Sequence, residues 1–214
     1  MYSDFTSVHA QLGTHVEILE MCDLQSRVGA VTEDELRIKA EQIRDTFDIL
    51  PGVEEAPLAW ATRVACGLDR LVADFDLDGL AYYYRGLDGN EYEELGASLI
   101  VGNSLLTARG IPCAGEGDLK TCIAMLLMDA LDAGGSYTEF YAMDFVDDFL
   151  LMGHDGPGHV VWQRTDPTFR LRKWSRAGEV IDDYPFKVEG FPWEKASYEN
   201  YSHLRELDNG DLIA

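Results

Sequence analysis

Between Ile111 and His159 the hydrophobic period changes three times, and glycines mark the first two changes and the end of the last run. Ile111 to Ala114 is a short apolar run that stops at Gly115. From Leu119 to Leu131 apolar residues recur at helical spacing. After Gly134 and Gly135 the pattern turns to alternation, with Tyr137, Glu139, Tyr141 and Met143 on one side and Thr138, Phe140 and Ala142 on the other. Phe149 to Met152 is a further apolar run, ended by Gly153, where the missing β-carbon frees the backbone to turn. Punctuation of this kind forbids one long helix or one long strand. It predicts strand, helix, strand, strand.

Upstream, the same test predicts more of this alternation. Met1 to Gly13 is polar and without a clear period, which predicts an irregular entry, and Val16 to Met21 alternates as a strand does. Thr32 and Glu35 make a capping-box pattern ahead of Leu36, Ala40, Ile43 and Phe47, so a helix is expected to end before Pro51. Leu58 to Phe75 repeats helical spacing through Trp60, Val64, Leu68, Leu71 and Val72. Leu80 to Tyr84 predicts a strand, and Tyr92 to Ala108 a helix closed by Gly110. Strands alternating with helices argue for an α/β fold with a mainly parallel sheet flanked by helices. From Trp162 onward the periodicity fades, which predicts a short β-rich C-terminal segment with an atypical tail. The expected division is 1–135 for the α/β domain and 136–214 for the β-rich part.

Charge and cysteine usage narrow the function classes. The 214 residues carry a formal net charge of −22, which argues against a nucleic-acid partner, since counterion release from phosphates needs a basic face. Arg164, Arg170, Arg172, Lys173 and Arg176 form a small basic cluster whose expected role is pairing with the acidic body. Cys22, Cys66, Cys113 and Cys122 lack both zinc-site spacing and the density of a disulfide scaffold, so reduced, mostly buried thiols are expected. Neither a secretory leader nor a membrane-length apolar run is read in the chain, and the cytoplasm is the economical location.

The candidate chemistry sits at element ends. Glu116 falls at a strand-to-helix turn, where open α/β sheets bind ligands. Glu139 is a carboxylate between two tyrosines on an alternating face, and His154 and Asp155 stand at the exit of a strand. Carboxylate and imidazole donors without thiolate suit manganese, magnesium or a similar divalent ion better than structural zinc. Arg85, Asp88 and Asn90 also lie at a strand end, as substrate contacts or, more plainly, as turn residues beside Gly86 and Gly89. His9 and His15 read as surface or hydrogen-bonded histidines.

The strings LAYYYRG, DGNEYE, GNSLLTARGIPCAGEGDLKT, GGSYTEFYAMDF and LMGHDGPGH together resemble the L-arabinose isomerase and L-fucose isomerase family, most closely its arabinose-isomerase-like branch, from about Leu12 to His159. The resemblance implies a central Rossmann-like α/β domain leading into a β-rich domain, with a divalent ion, usually manganese, at their junction. It implies that Glu116 of GEGD and Glu139 of TEFY are metal ligands and the acid/base pair. His154 of GHD would be the third ligand, with Asp155 and His159 behind the ligands. It further implies a sugar substrate, no nicotinamide or phosphate cofactor, and a homo-oligomer. The family's N-terminal domain and its fourth ligand, a distant histidine, have no counterpart here, and His203 lies in sequence unlike the family's. The expectation is therefore a metal-dependent aldose-ketose isomerase or the core of one. The alternative is a catalytically silent metal- or sugar-binding fragment that assembles with other subunits.

Overall fold

The computed structural model describes residues 3–49, 51–83, 89–144, 149–154, 156–158 and 160, together with the short strands at 170–171, 205–206 and 212–213; for 140–153 and those strands the description is of the backbone. It divides into two compact units, one of Met1–Thr46, Glu55–Tyr137 and Gly156–Phe169, the other of Phe47–Glu54, Thr138–Asp155 and Arg170–Ala214.

The first unit is helix-rich and is organised around one long helix. Its order is α1 (Phe5–Leu12), α2 (Met21–Gly29), α3 (Glu33–Thr46), then, past β1 (Asp48–Ile49) of the second unit, α4 (Glu55–Phe75), β2 (Leu80–Ala81), α5 (Glu93–Ala97), α6 (Ile100–Ala108), β3 (Cys113–Ala114) and α7 (Leu119–Ala130). Helix α4 buries Leu58, Val64, Ala65, Leu68, Leu71 and Val72. Leu24 and Val28 of α2, Leu95 of α5, Leu99, Leu106 of α6 and Cys113 of β3 join it in one core.

Close approach to α4 requires small residues. A β-carbon on Gly67 would collide with the Val28 side chain, and one on Gly102 of α6 would lie 2.9 Å from the Ala65 Cα. Polar ties complete the cluster. Lys39 of α3 is only 8% exposed, and its Nζ stands 2.8 Å from Asp69 of α4, whose other carboxylate oxygen is 2.8 Å from Arg109 at the end of α6. One carboxylate thus serves two cations, and the buried lysine is paired rather than left alone.

The capping residues explain where the helices begin. Thr32 donates its N–H to Glu35 at 2.7 Å, closing the capping box ahead of α3. Three expectations are corrected. The entry segment is the helix α1, because Asp4 accepts the Ser7 N–H at 3.0 Å at one end and Gly13, at φ 71°, stops it at the other. Val16 to Met21 forms no strand. Met21, Leu24 and Val28 instead follow helical spacing in α2, which opens where the Glu20 N–H meets the Asp23 carboxylate at 2.9 Å. The expected single helix from Tyr92 to Ala108 is two, α5 and α6, broken where the Ser98 hydroxyl bonds the Glu94 carbonyl at 2.7 Å.

Strand pairing is mixed. Strands β2 and β3 pair in parallel, Leu80 with Cys113 and Ala81 with Ala114, so the α/β character holds as a small parallel pair among helices. In the second unit β1 pairs in parallel with β6 (Arg170–Leu171), and β4 (Glu139–Asp144) pairs antiparallel with β5 (Phe149–Gly153). Strands β7 (Arg205–Glu206) and β8 (Leu212–Ile213) also pair antiparallel. Of the basic cluster, only the Arg170 backbone lies within the described residues; the other members lie outside them. Cys66, Cys113 and Cys122 are buried free thiols, and Cys22 is exposed. Burial raises the Cys122 thiol to about 11, which keeps it protonated and inert at neutral pH.

Two outcomes follow from this packing. Gly102→Ala should lower stability by about 1–3 kcal/mol, because the added methyl enters the α4–α6 contact; urea denaturation measures it, and an unchanged midpoint contradicts the contact. The Arg70 guanidinium, then Thr32, hold the Glu35 carboxyl down from 4.5 to about 2. A carboxyl held down in the folded state stabilises it above its ordinary range and loses that contribution as the pH falls. Glu35→Gln should therefore be less stable than the parent at pH 6, the difference shrinking between pH 4.5 and 2.

Candidate functional site

The turn that carries Glu116 is built by the parallel pair. The Leu80 and Tyr82 N–H groups bond the Pro112 and Ala114 carbonyls at 2.9 and 3.0 Å, and the Gly117 N–H returns to the Tyr82 carbonyl at 2.8 Å. The chain leaving β3 is thereby folded back onto the chain leaving β2. Glu116 adopts φ 57° and Gly117 φ 65°, two left-handed residues in succession. Glycine takes this conformation freely; for glutamate it costs about 1–2 kcal/mol. Such a cost is retained where the surrounding structure fixes it, and ligand-binding turns are where it is commonly found. The Glu116 side chain is half-buried at the carboxyl end of a parallel strand.

Below the turn, Asp118 opens α7. Its carboxylate accepts the Thr121 N–H at 3.1 Å and the Thr121 hydroxyl at 2.6 Å. Helix α6 adds polar groups behind the same strand. The Thr107 hydroxyl accepts the Cys113 N–H at 3.0 Å, and the Ser104 hydroxyl accepts the Gly158 N–H at 3.1 Å. The buried side-chain amide of Asn103, on the same helix, has no hydrogen-bond partner among the described residues, a position for which a buried water is the ordinary solution.

In the second unit the hairpin register brings two donors together. Strand β4 pairs Glu139 with Gly153, the last residue of β5, and His154 follows directly. Fifteen residues apart in sequence, the Glu139 Oε2 and His154 Nδ1 stand 3.4 Å apart, with the histidine side chain 13% exposed and the glutamate 43%. That separation is long for a hydrogen bond. Two donors held side by side on one ion at about 2.0–2.2 Å stand roughly 3 Å apart, so the pair suits shared coordination with a small adjustment. A register shift between Phe140 and Ala142 inserts Tyr141 as an extra residue, so the strict alternation expected along this strand is interrupted beside Glu139.

Of the expected ligands, then, Glu139 and His154 are neighbours in one unit and Glu116 stands on the β3–α7 turn of the other. Among the described residues no group of three or more His, Cys, Asp or Glu side chains is gathered to hold a metal ion. The donor chemistry itself, carboxylate oxygen and imidazole nitrogen, fits an oxygen- and nitrogen-preferring divalent ion. Asp155, His159, Arg85 and Asp88 lie outside the described residues. Asn90 is a turn residue, its carboxamide oxygen accepting the Tyr92 N–H at 2.9 Å ahead of α5. His9 bonds the Thr14 carbonyl at 3.2 Å and His15 meets Glu17 at 3.3 Å, both on the surface.

No protein-family model matches the chain, and no curated protein does. Among the described residues no helix is long and apolar enough to cross a membrane. Asp118, Thr121 and Thr107 were not among the expected site residues, although the Asp-x-x-Thr spacing from Asp118 to Thr121 carries a readable capping signal.

The strained turn makes a direct prediction. Glu116→Gly should be more stable than Glu116→Ala by about 1 kcal/mol, since glycine alone is at ease at φ 57°. Equal unfolding free energies for the two variants would show that the left-handed backbone is not kept in solution.

Proposed function

We propose that this protein is a metal-dependent aldose-ketose isomerase of the arabinose-isomerase-like kind, or the core of one, with Glu116, Glu139 and His154 serving one divalent ion. The same reading places β2 and β3 in a Rossmann-like sheet and the protein in the cytoplasm. The observation that carries it is the Glu139–His154 pair, 3.4 Å apart, set side by side by the hairpin register. The left-handed Glu116 at the end of a parallel strand supports it independently.

The reaction moves a carbonyl from C1 to C2 of a sugar. The C2–H bond breaks, a C1–H bond forms, and one proton passes from O2 to O1. A divalent ion such as manganese, held by Glu116, Glu139 and His154, would supply Lewis-acid polarisation of the carbonyl and the adjacent hydroxyl, worth several kcal/mol. In this proposal one of the two glutamates takes the C2 proton on a carboxylate oxygen and returns it to C1. The other carries the hydroxyl proton. A carboxylate is weakly basic in water, so positioning matters more than strength, and a well-placed acid/base group contributes about 100- to 10,000-fold. His154, held beside Glu139, orients that carboxylate and supplies a nitrogen donor.

A second reading, a metal- or sugar-binding module without turnover that assembles with further subunits, draws on Leu127, Met128 and Leu131, exposed together near the end of α7. Sedimentation of a monomer that binds no divalent ion removes that reading.

Incubated with manganese and a panel of aldopentoses and aldohexoses, the chain should form a ketose, and Glu116→Gln and Glu139→Gln should each lower the rate by about 100- to 10,000-fold. No ketose from the parent, or rates unchanged in both variants, contradicts the proposal.

A further inference from the structure

We propose that Asp118 is the positioning residue for Glu116: by gripping Thr121 with both carboxylate oxygens it holds the 115–118 turn in the double left-handed form that presents the Glu116 carboxylate. The inference rests on the reading of Glu116 as a ligand and base.

Two successive residues at φ 57° and 65° form a turn that a chain with a β-carbon at the first position avoids when free. It must be clamped at both ends. At its front the clamp is backbone, the Gly117 N–H on the Tyr82 carbonyl at 2.8 Å. Across its base the Asp118 N–H bonds the Gly115 carbonyl at 2.9 Å, and the Leu119 N–H bonds Gly117 at 2.9 Å. The second clamp is the Asp118 side chain, with Thr121 N at 3.1 Å and Thr121 Oγ1 at 2.6 Å, which fastens the last turn residue to the first turn of α7.

Burial separates this cap from an ordinary one. Asp4 makes the same two bonds to Ser7, at 3.0 and 3.1 Å, from an exposed position at the start of α1. Asp118 is 5% exposed. Helix capping alone works in solvent and does not call for burying a carboxylate. The carboxylate is buried because the turn is packed between the exits of β2 and β3 and the start of α7, so loosening it loosens the backbone that carries Glu116. Among the described residues only Thr121 fills its oxygens, so a substitution at either residue addresses the clamp.

The test compares the full chain with Asp118→Ala, Asp118→Asn, Thr121→Val and, as a control cap remote from the turn, Asp4→Ala. Manganese affinity is measured by calorimetry and exchange of the Gly117 amide by NMR. Asp118→Ala should weaken manganese binding about 10- to 100-fold and expose the Gly117 amide while α4 amides stay protected; removal of partners that orient a ligand has effects of this size. Asp118→Asn, which keeps the acceptor for the Thr121 N–H, should restore most of both. Thr121→Val should fall between. Asp4→Ala should lower thermal stability without changing manganese affinity. Parent-like affinity and Gly117 protection in both Asp118→Ala and Thr121→Val overturn the proposal. If Asp118→Ala does not fold, Thr121→Val decides. If the parent binds no manganese, the isomerase reading fails, and Gly117 exchange alone decides whether Asp118 holds the turn.

Discussion

The parallel pairing of β2 with β3 is the constraint on which the Glu116 turn depends. Its two strands are only two residues long, too short to be stable alone. They persist because the ladder continues past them, through Tyr82 on Ala114 and Gly117 on Tyr82, and because Cys113 is buried in the core built on α4. The core therefore fixes the strands, the strands fix the turn, and the turn fixes Glu116. A left-handed glutamate is a cost that this chain of supports offsets.

The second unit reaches its site by a different route. No core argument is needed to bring Glu139 and His154 together: antiparallel register sets Glu139 opposite Gly153, and the next residue is the histidine. The extra residue at Tyr141 sits two residues further along the strand, and a bulge there twists the hairpin locally without disturbing the Glu139–Gly153 pair. Glu116 and His154 each stand just past paired backbone, and Glu139 is the first paired residue of its strand. Pairing fixes the backbone beside each of these side chains.

How much of this was legible in the sequence depended on whether the deciding interaction was local. Helix α3 was, because Thr32 and Glu35 satisfy one another within a single turn. Helix α4 was, because its apolar residues repeat over five turns. The Glu116 turn was visible through its flanking glycines, though its left-handed form was not. Helix α1 carried a readable Asp4 start and Gly13 stop that outweigh its weak apolar period. Val16 to Met21 is too short for alternation to decide against the helical spacing of Met21, Leu24 and Val28. The break at Ser98 and the bulge at Tyr141 come from a side chain bonding backbone and from a two-against-one pairing. Neither leaves a mark on hydrophobic period. The 3.4 Å approach of Glu139 to His154 is a consequence of register, which periodicity does not specify.

The proposed isomerase requires Glu116, Glu139 and His154 to serve one cation. Anomalous diffraction from crystals grown with manganese tests it most directly. If the three side chains share the ion, a single strong peak stands with carboxylate oxygens of Glu116 and Glu139 and a ring nitrogen of His154 each about 2.0–2.6 Å away. A peak bound by other residues, or full occupancy at a site that Glu116 does not touch, contradicts it.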